Sequence, residues 1–267
     1  MKNSLKYALI FAGLGTGLAS VPAVAHMSPL NFGTFDGTSV ATASILTSVS
    51  GNSGWIDGTD ADWSDTHKLA VYQFTLTSVA DVQLSFEQAV AGGGRNGLTP
   101  GFSLFEGLVH APSSPGGPDH DYSDGSVFLR NTDSGGAITE GAFRALHDWR
   151  ITNEADLADI PPSVFSYIGH AYDGNQDYGT GIIPGGDGLL DRMVTQNFHL
   201  TAGDYTVFVG GSDYASQSVA AKLLGVSGTL SVVSAVPEPE TYAMLLAGLG
   251  LMGVMARRRK VIGKLQG

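Results

Sequence analysis

Short runs of apolar/polar alternation, cut apart by clusters of Gly, Asp, Asn and Pro, constrain this chain more than any other feature. Tyr72, Phe74 and Leu76 alternate with Gln73, Thr75 and Thr77. Val82, Leu84 and Phe86 repeat the pattern after a short turn, and Phe102 with Leu104 marks another run. Val194, Phe198 and Leu200 precede a tight turn at 201–204. Tyr205, Val207 and Val209 resume beyond it, and Leu224, Val226, Leu230 and Val232 form the last run. A period of two sends successive side chains to opposite faces, so each run reads as a half-buried strand. Residues 38–50, rich in Ser, Thr and Val, read as an edge strand. The runs at 72–76 and 82–86 are expected to pair as a hairpin. Ala142, Phe143, Leu146 and Trp149 have the spacing of a helix face, and 154–159 reads as a helical turn stopped by Pro161-Pro162. The expected fold is all-β. It is an antiparallel β-sandwich or jelly roll of about eight strands, with long loops and one or two short helices.

Both ends of the chain differ from this middle. Lys2 and Lys6 form a basic start, residues 8–19 are apolar, and Ala23-Val24-Ala25 is a small-residue cleavage site. Together these make a secretory signal peptide over residues 1–25, with Ala23 and Ala25 read by signal peptidase and His26 as the expected mature start. At the other end stand Pro237-Glu238-Pro239, an apolar run over 242–256, and Arg257-Arg258-Arg259-Lys260. The prolines stop any strand or helix. Fifteen apolar residues rise about 23 Å as a helix, short of the ~30 Å hydrocarbon core. The basic cluster suits the cytoplasmic side.

This order resembles the PEP-CTERM sorting signal of Gram-negative bacteria. The resemblance implies export through the inner membrane, transient anchoring by a C-terminal hydrophobic helix, and processing near Pro237-Glu238-Pro239 by an exosortase. It also associates the protein with exopolysaccharide and biofilm. The expected organisation is a signal helix at 1–25, a secreted β-sandwich at 26–235 and a sorting signal at 236–267. The stretches 200–209 and 72–76 are similar to the late hairpin and early strand of bacterial pre-peptidase C-terminal domains. That likeness implies a small secreted jelly roll of a kind that often carries calcium.

Seven of the fourteen bases but only two of the twenty-five acids lie in the end segments, so residues 26–236 hold 7 bases and 23 acids. Phosphate binding needs a basic face, which makes nucleic acid an unsuitable partner and cations the natural ones. The chain has no cysteine. Disulfides, thiolate metal sites and cysteine catalysis are therefore excluded.

Three acidic loops are candidates for calcium, which takes six to eight hard oxygens. Asp57, Asp60, Asp62 and Asp65 fall in a Gly-containing loop before the strongest strand. Asp173, Asn175 and Asp177 have the alternating spacing of half an EF-hand, but Tyr178 stands where its Gly is needed and Pro184 where its Glu is needed. Asp119, Asp121 and Asp124 form the third group. The alternative role for each is turn-building through Asx hydrogen bonds. Trp55, Trp63, Trp149 and Tyr172 flank these loops and are candidate platforms for sugar rings, or else core anchors. No G-x-S-x-G or H-E-x-x-H motif is present. The expected function is an exported, non-catalytic surface or matrix protein with calcium as its stabilising ion. The alternatives are a glycan-binding module in exopolysaccharide assembly and, third, a jelly-roll hydrolase.

Overall fold

A computed structural model describes residues 29–56, 63–109, 122–123, 141–152, 163–175, 183–216, 218–234 and 244–252. Thirteen strands are assigned among them. In chain order they are β1 (Leu30–Phe35), β2 (Ala41–Ser50), β3 (Trp63–Asp65), β4 (Ala70–Leu76), β5 (Ala80–Ala89), β6 (Pro100–Glu106), β7 (Tyr122–Ser123), β8 (Ala142–Arg144), β9 (Trp149–Thr152), β10 (Ser163–Tyr172), β11 (Met193–Leu200), β12 (Gly203–Gly211) and β13 (Leu223–Ser234). Two 3-10 turns, Thr66–Lys68 and Tyr214–Ser216, complete the sandwich.

A seven-stranded sheet runs β1-β4-β12-β6-β10-β9-β7, and a four-stranded sheet runs β11-β5-β13-β2. A two-stranded ribbon joins β3 to β8. All pairings are antiparallel except β1 with β4. The two main sheets face each other across one apolar layer. Tyr72, Phe74, Phe102, Leu104, Tyr205 and Val207 meet Val82, Leu84, Phe86, Val226, Leu230 and Val232 there. The alternating residues of the sequence are these inward faces, and the all-β sandwich is the fold they build. The segment at 41–50 is an edge strand, as its composition predicts.

Two local expectations are corrected. β4 and β5 do not form a hairpin: β4 pairs with β1 and β12, whereas β5 pairs with β11 and β13. The same holds for β11 and β12, so the turn at 201–202 also crosses between sheets. Alternation fixes which face of a strand is apolar, but two facing sheets accept that face equally well. The second correction concerns 142–149. Ala142 and Phe143 lie on β8 and Trp149 begins β9, so this stretch is strand and turn rather than helix. Its apolar residues cover the outer face of the large sheet. Phe143, Trp149, Ile151 and Phe165 pack there on Val71, Phe105 and Phe208. Strands β4, β6 and β12 are therefore buried on both faces. The expected helical turn at 154–159 and the signal helix lie outside the described residues.

Among the described residues two buried polar groups have no hydrogen-bond partner, the Tyr72 hydroxyl and Trp149 Nε1. Tyr72 is fully buried between Phe32 and Phe86, and its hydroxyl makes no hydrogen bond. Burial pushes its ionisation well above the ordinary phenol range. An unpaired buried hydroxyl costs about 1–3 kcal/mol, so Tyr72→Phe is expected to leave stability unchanged or raise it by about 1 kcal/mol in urea unfolding. A loss above ~1 kcal/mol would show that the hydroxyl is satisfied after all.

Candidate functional site

The end of β10 continues into a turn that gathers three carboxylates. The peptide of Tyr172 forms a parallel bridge with Gly186. Its N–H donates to the Gly185 carbonyl at 3.1 Å, and its carbonyl accepts from the Asp187 N–H at 3.1 Å. The Tyr172 hydroxyl donates to the Ile183 carbonyl at 2.7 Å. His170 Nε2 donates to the Pro184 carbonyl at 2.6 Å, which leaves Nδ1 to accept from the Tyr167 hydroxyl. Burial lowers the His170 pKa, outweighing the hydrogen bond to Pro184, and keeps the ring neutral. These contacts fold 183–187 back onto the strand end.

Asp173, Asp187 and Asp191 are thereby brought together, with one carboxylate oxygen of each within 4.8 Å of the others. Asp173 is buried and its two neighbours are exposed. Backbone amides hold each group. Asp173 Oδ1 accepts from Asp191 N and Oδ2 from Arg192 N, both at 3.0 Å. Asp187 Oδ1 accepts from Gly174 N at 2.9 Å and Leu189 N at 3.0 Å. Asp191 Oδ1 accepts from Met193 N at 3.2 Å. Arg192 adopts φ 71°, a left-handed conformation that turns its amide onto Asp173. Its guanidinium donates to Gly97 O at 3.4 Å and to Thr99 Oγ1.

Burial pushes the Asp173 carboxyl up, and the charges of Asp187 and Asp191 add to the push; the amides of Asp191 and Arg192 oppose it. One oxygen of each carboxylate lies within 4.8 Å of the others, and two ligands of one ion with bonds of ~2.4 Å can be at most about that far apart, so the cluster is compatible with a single hard cation. Such an ion would cancel the repulsion that the fold imposes. The donor set is carboxylate oxygen only, which favours a hard ion over a soft one.

The sequence expectations meet this site in part. Asp173 belongs to it. Asn175 is exposed and follows the turn, and Asp177 lies outside the described residues. Asp187 and Asp191 were missed, although the run Gly185-Gly186-Asp187-Gly188 followed by Asp191 marks a turn with two acids four residues apart. In the first predicted loop, Asp57, Asp60 and Asp62 lie outside the described residues, as do Asp119, Asp121 and Asp124. Asp65 caps the 3-10 turn by accepting from His67 N at 3.0 Å, and lies 3.4 Å from Lys68 Nζ. Burial raises its pKa, but the hydrogen bond from His67 and the Lys68 charge outweigh this and hold it below the usual range.

The aromatic platform is corrected. Trp55 and Tyr172 are fully buried and Trp149 nearly so, leaving no ring face for a sugar. Trp55 Nε1 donates to Ser103 Oγ at 2.8 Å. Trp149 stacks on Phe165 with centroids 4.6 Å apart. Trp63 is half-buried beneath the Arg144 guanidinium, 4.3 Å from its ring centroid. Trp55, Trp149 and Tyr172 are core rings of the outer apolar clusters.

Fold and site define a β-sandwich with an amide-held acidic turn at one strand end. Residues 235–260 match the PEP-CTERM protein-sorting motif. The chain thus carries the signal of an exported protein that is transiently anchored in a membrane and processed by exosortase, as Pro237, Glu238, Pro239 and Arg257, Arg258, Arg259 predict. Of this tail, residues 244–252 are helical and exposed. Among the described residues no helix is long and apolar enough to cross a membrane. A search of curated proteins found no match.

Among solved structures, the chain is similar to CorA of Methylomicrobium album BG8, a surface-associated copper-binding protein important in copper acquisition. The identity is 14%, the match covers 75% of this chain and 98% of that one, and the TM-score is 0.42. It is similar to the secreted protein MopE of Methylococcus capsulatus, in which an oxidized tryptophan facilitates copper binding, at 16% identity over 74% and 86%, TM-score 0.39. It is also similar to the pre-peptidase C-terminal domain of Bacillus anthracis collagenase, at 12% identity over 78% and 95%, TM-score 0.26. The copper named for the first two is a property of those proteins.

Proposed function

We propose that this chain is an exported, non-catalytic protein of the cell surface or extracellular matrix of a Gram-negative bacterium, stabilised by calcium at Asp173, Asp187 and Asp191. Signal peptidase removes residues 1–25, exosortase acts near Pro237-Glu238-Pro239, and residues 26–235 are the working domain. Its role lies with exopolysaccharide and biofilm rather than with turnover of a substrate. The observation that carries the calcium reading is the convergence of three carboxylates on one point, each held by backbone N–H groups. A chain gains nothing from such a cluster by itself, because like charges at this range destabilise it. An ion held only by the folded state turns that cost into stability.

The test is a thermal melt of the exported protein in EDTA and then in millimolar calcium, with magnesium as the control. At a hundredfold excess over Kd, calcium is expected to add about 2.7 kcal/mol, or roughly 5–10 °C for a domain of this size. Asp187→Asn is expected to remove the calcium response and to raise the melt in EDTA, since it relieves repulsion without deleting an acceptor. Identical wild-type melts with and without calcium would return the three aspartates to turn-building.

A further inference from the structure

A second site lies elsewhere on the sandwich. A half-open cleft of about 260 Å³ forms where the turns at 50–53 and 96–97 meet Ser216 and the connection at 219–224. Lys68 and Lys222 line it together with Ser53, Asn96, Val219 and Leu224, and no carboxylate is among its lining residues. This is unexpected in a domain of 7 bases and 23 acids. Lys68 and Lys222 line the cleft, and the Arg192 guanidinium donates to the Gly97 carbonyl behind its wall at 3.4 Å. Arg95 bridges to Leu224, and its N–H donates to the Leu223 carbonyl at 3.0 Å.

The two lysines are presented differently. The Lys68 stem lies across the backbone of Gly54, where an added Cβ would come 2.5 Å from Lys68 Cβ, and its ammonium is tied to Asp65. Lys222 is held by its backbone, whose carbonyl accepts from Gly51 N at 2.7 Å. Among the described residues no carboxylate lies within ion-pair distance of the Lys222 ammonium. A second bordering acid, Asp213, is engaged by Asn52 at 3.3 Å, Ala215 N at 3.2 Å and Ser216 at 2.8 Å. The cleft thus has one fixed cation, one available cation, amide and hydroxyl groups, and an apolar wall.

We propose that this cleft binds a sugar acid, a single carboxylate on a polyhydroxylated ring. Lys222 takes the carboxylate with Lys68 behind it, Asn96 and Ser53 meet hydroxyls, and Val219 and Leu224 pack on the C–H face of the ring. Phosphate sites favour arginine forks and nests of backbone N–H groups, whereas this lining mixes ammonium, amide, hydroxyl and aliphatic surface. The volume is just below the ~300–1,000 Å³ usual for small-ligand sites, which suits one sugar unit. The acidic surroundings repel densely charged polyanions more than a ring with one charge. No residue that lines the cleft belongs to the aspartate turn, Arg192 touching only the back of the wall at Gly97, and the proposal stands independently of calcium.

The test is calorimetric titration of the exported protein with sodium glucuronate, glucose and sodium acetate at one fixed ionic strength. Saturable binding of glucuronate is expected, with glucose and acetate each about tenfold weaker or more, because each lacks one half of the contacts. Lys222→Glu is expected to weaken glucuronate at least about tenfold, and Asn96→Ala several-fold, with unchanged thermal melts because both side chains are exposed. Absence of saturable glucuronate binding overturns the proposal. So does acetate binding as tightly as glucuronate, or Lys222→Glu binding it as well as the wild type.

Discussion

Replacing Trp55 with alanine is expected to lower the stability of the sandwich by about 4 kcal/mol. The indole is fully buried on the outer face of the large sheet, at the end where β10 gives way to the aspartate turn. It lies flat on glycine: a Cβ at Gly101 would come within 2.7 Å of its Cδ2. Its other neighbours are Tyr172 at 5.6 Å and His170 at 5.7 Å between centroids. Glycine backbone has no side chain to collapse into the space, so the cavity stays open. Ser103, fully buried, also loses the indole donor. Trp55→Phe separates the two causes. It keeps most of the volume, loses the N–H, and is expected to cost about 1–2 kcal/mol. Urea unfolding at constant m checks both values. A loss below ~1 kcal/mol for the alanine variant would place Trp55 outside the core and reopen a role for it at the surface.

Phe208→Ala is expected to cost about 3–5 kcal/mol, but to spend that loss unevenly. Phe208 sits on β12 with its ring toward the outer layer, 5.2 Å from Phe143, 5.3 Å from Trp149 and Phe165, and 5.6 Å from Phe105. It is the post around which β8, β9 and the start of β10 close. The inner layer between the sheets does not include it. Faster amide exchange is therefore expected at 142–152, with Val226 to Val232 still protected, and the emission of Trp149 should shift to the red. Uniform loss of protection across both layers would show instead that the outer layer and the sandwich unfold as one unit.

Much of this architecture is legible in the amino-acid sequence, and the parts that are not share a cause. The alternation in 72–76, 82–86 and 224–232 reports a local property, the side on which a strand is apolar. Which sheet a strand joins depends on whether the turn after it doubles back or crosses the core. The turn at 77–79 gives no local sign of crossing. The outer layer is hidden by the same logic. Phe105 and Phe208 stand at positions that simple alternation assigns to solvent, and Ala142, Phe143 and Trp149 match a helix period by coincidence of spacing. At the aspartate turn, Asp173 was visible because acids cluster around it in the chain. Asp187 and Asp191 join it through the Tyr172–Gly186 bridge, a contact between segments fourteen residues apart. Trp55, Trp149 and Tyr172 were misassigned because proximity in sequence to an acidic loop says nothing about which way a ring faces.

The place of β13 in the small sheet has a mechanical consequence. The sorting tail leaves the domain at the end of this strand, and β13 is an inner strand with β5 on one side and β2 on the other. Its register runs unbroken against both neighbours, from Gly225 to Ser234 on β5 and from Leu223 to Val232 on β2. While the tail is held at the membrane, drag on the exported domain enters the fold at Ser234. A pull along β13 then meets two hydrogen-bonded ladders together, in shear, where an edge strand would offer one. The tether joins the domain at a point where tension is shared across the sheet.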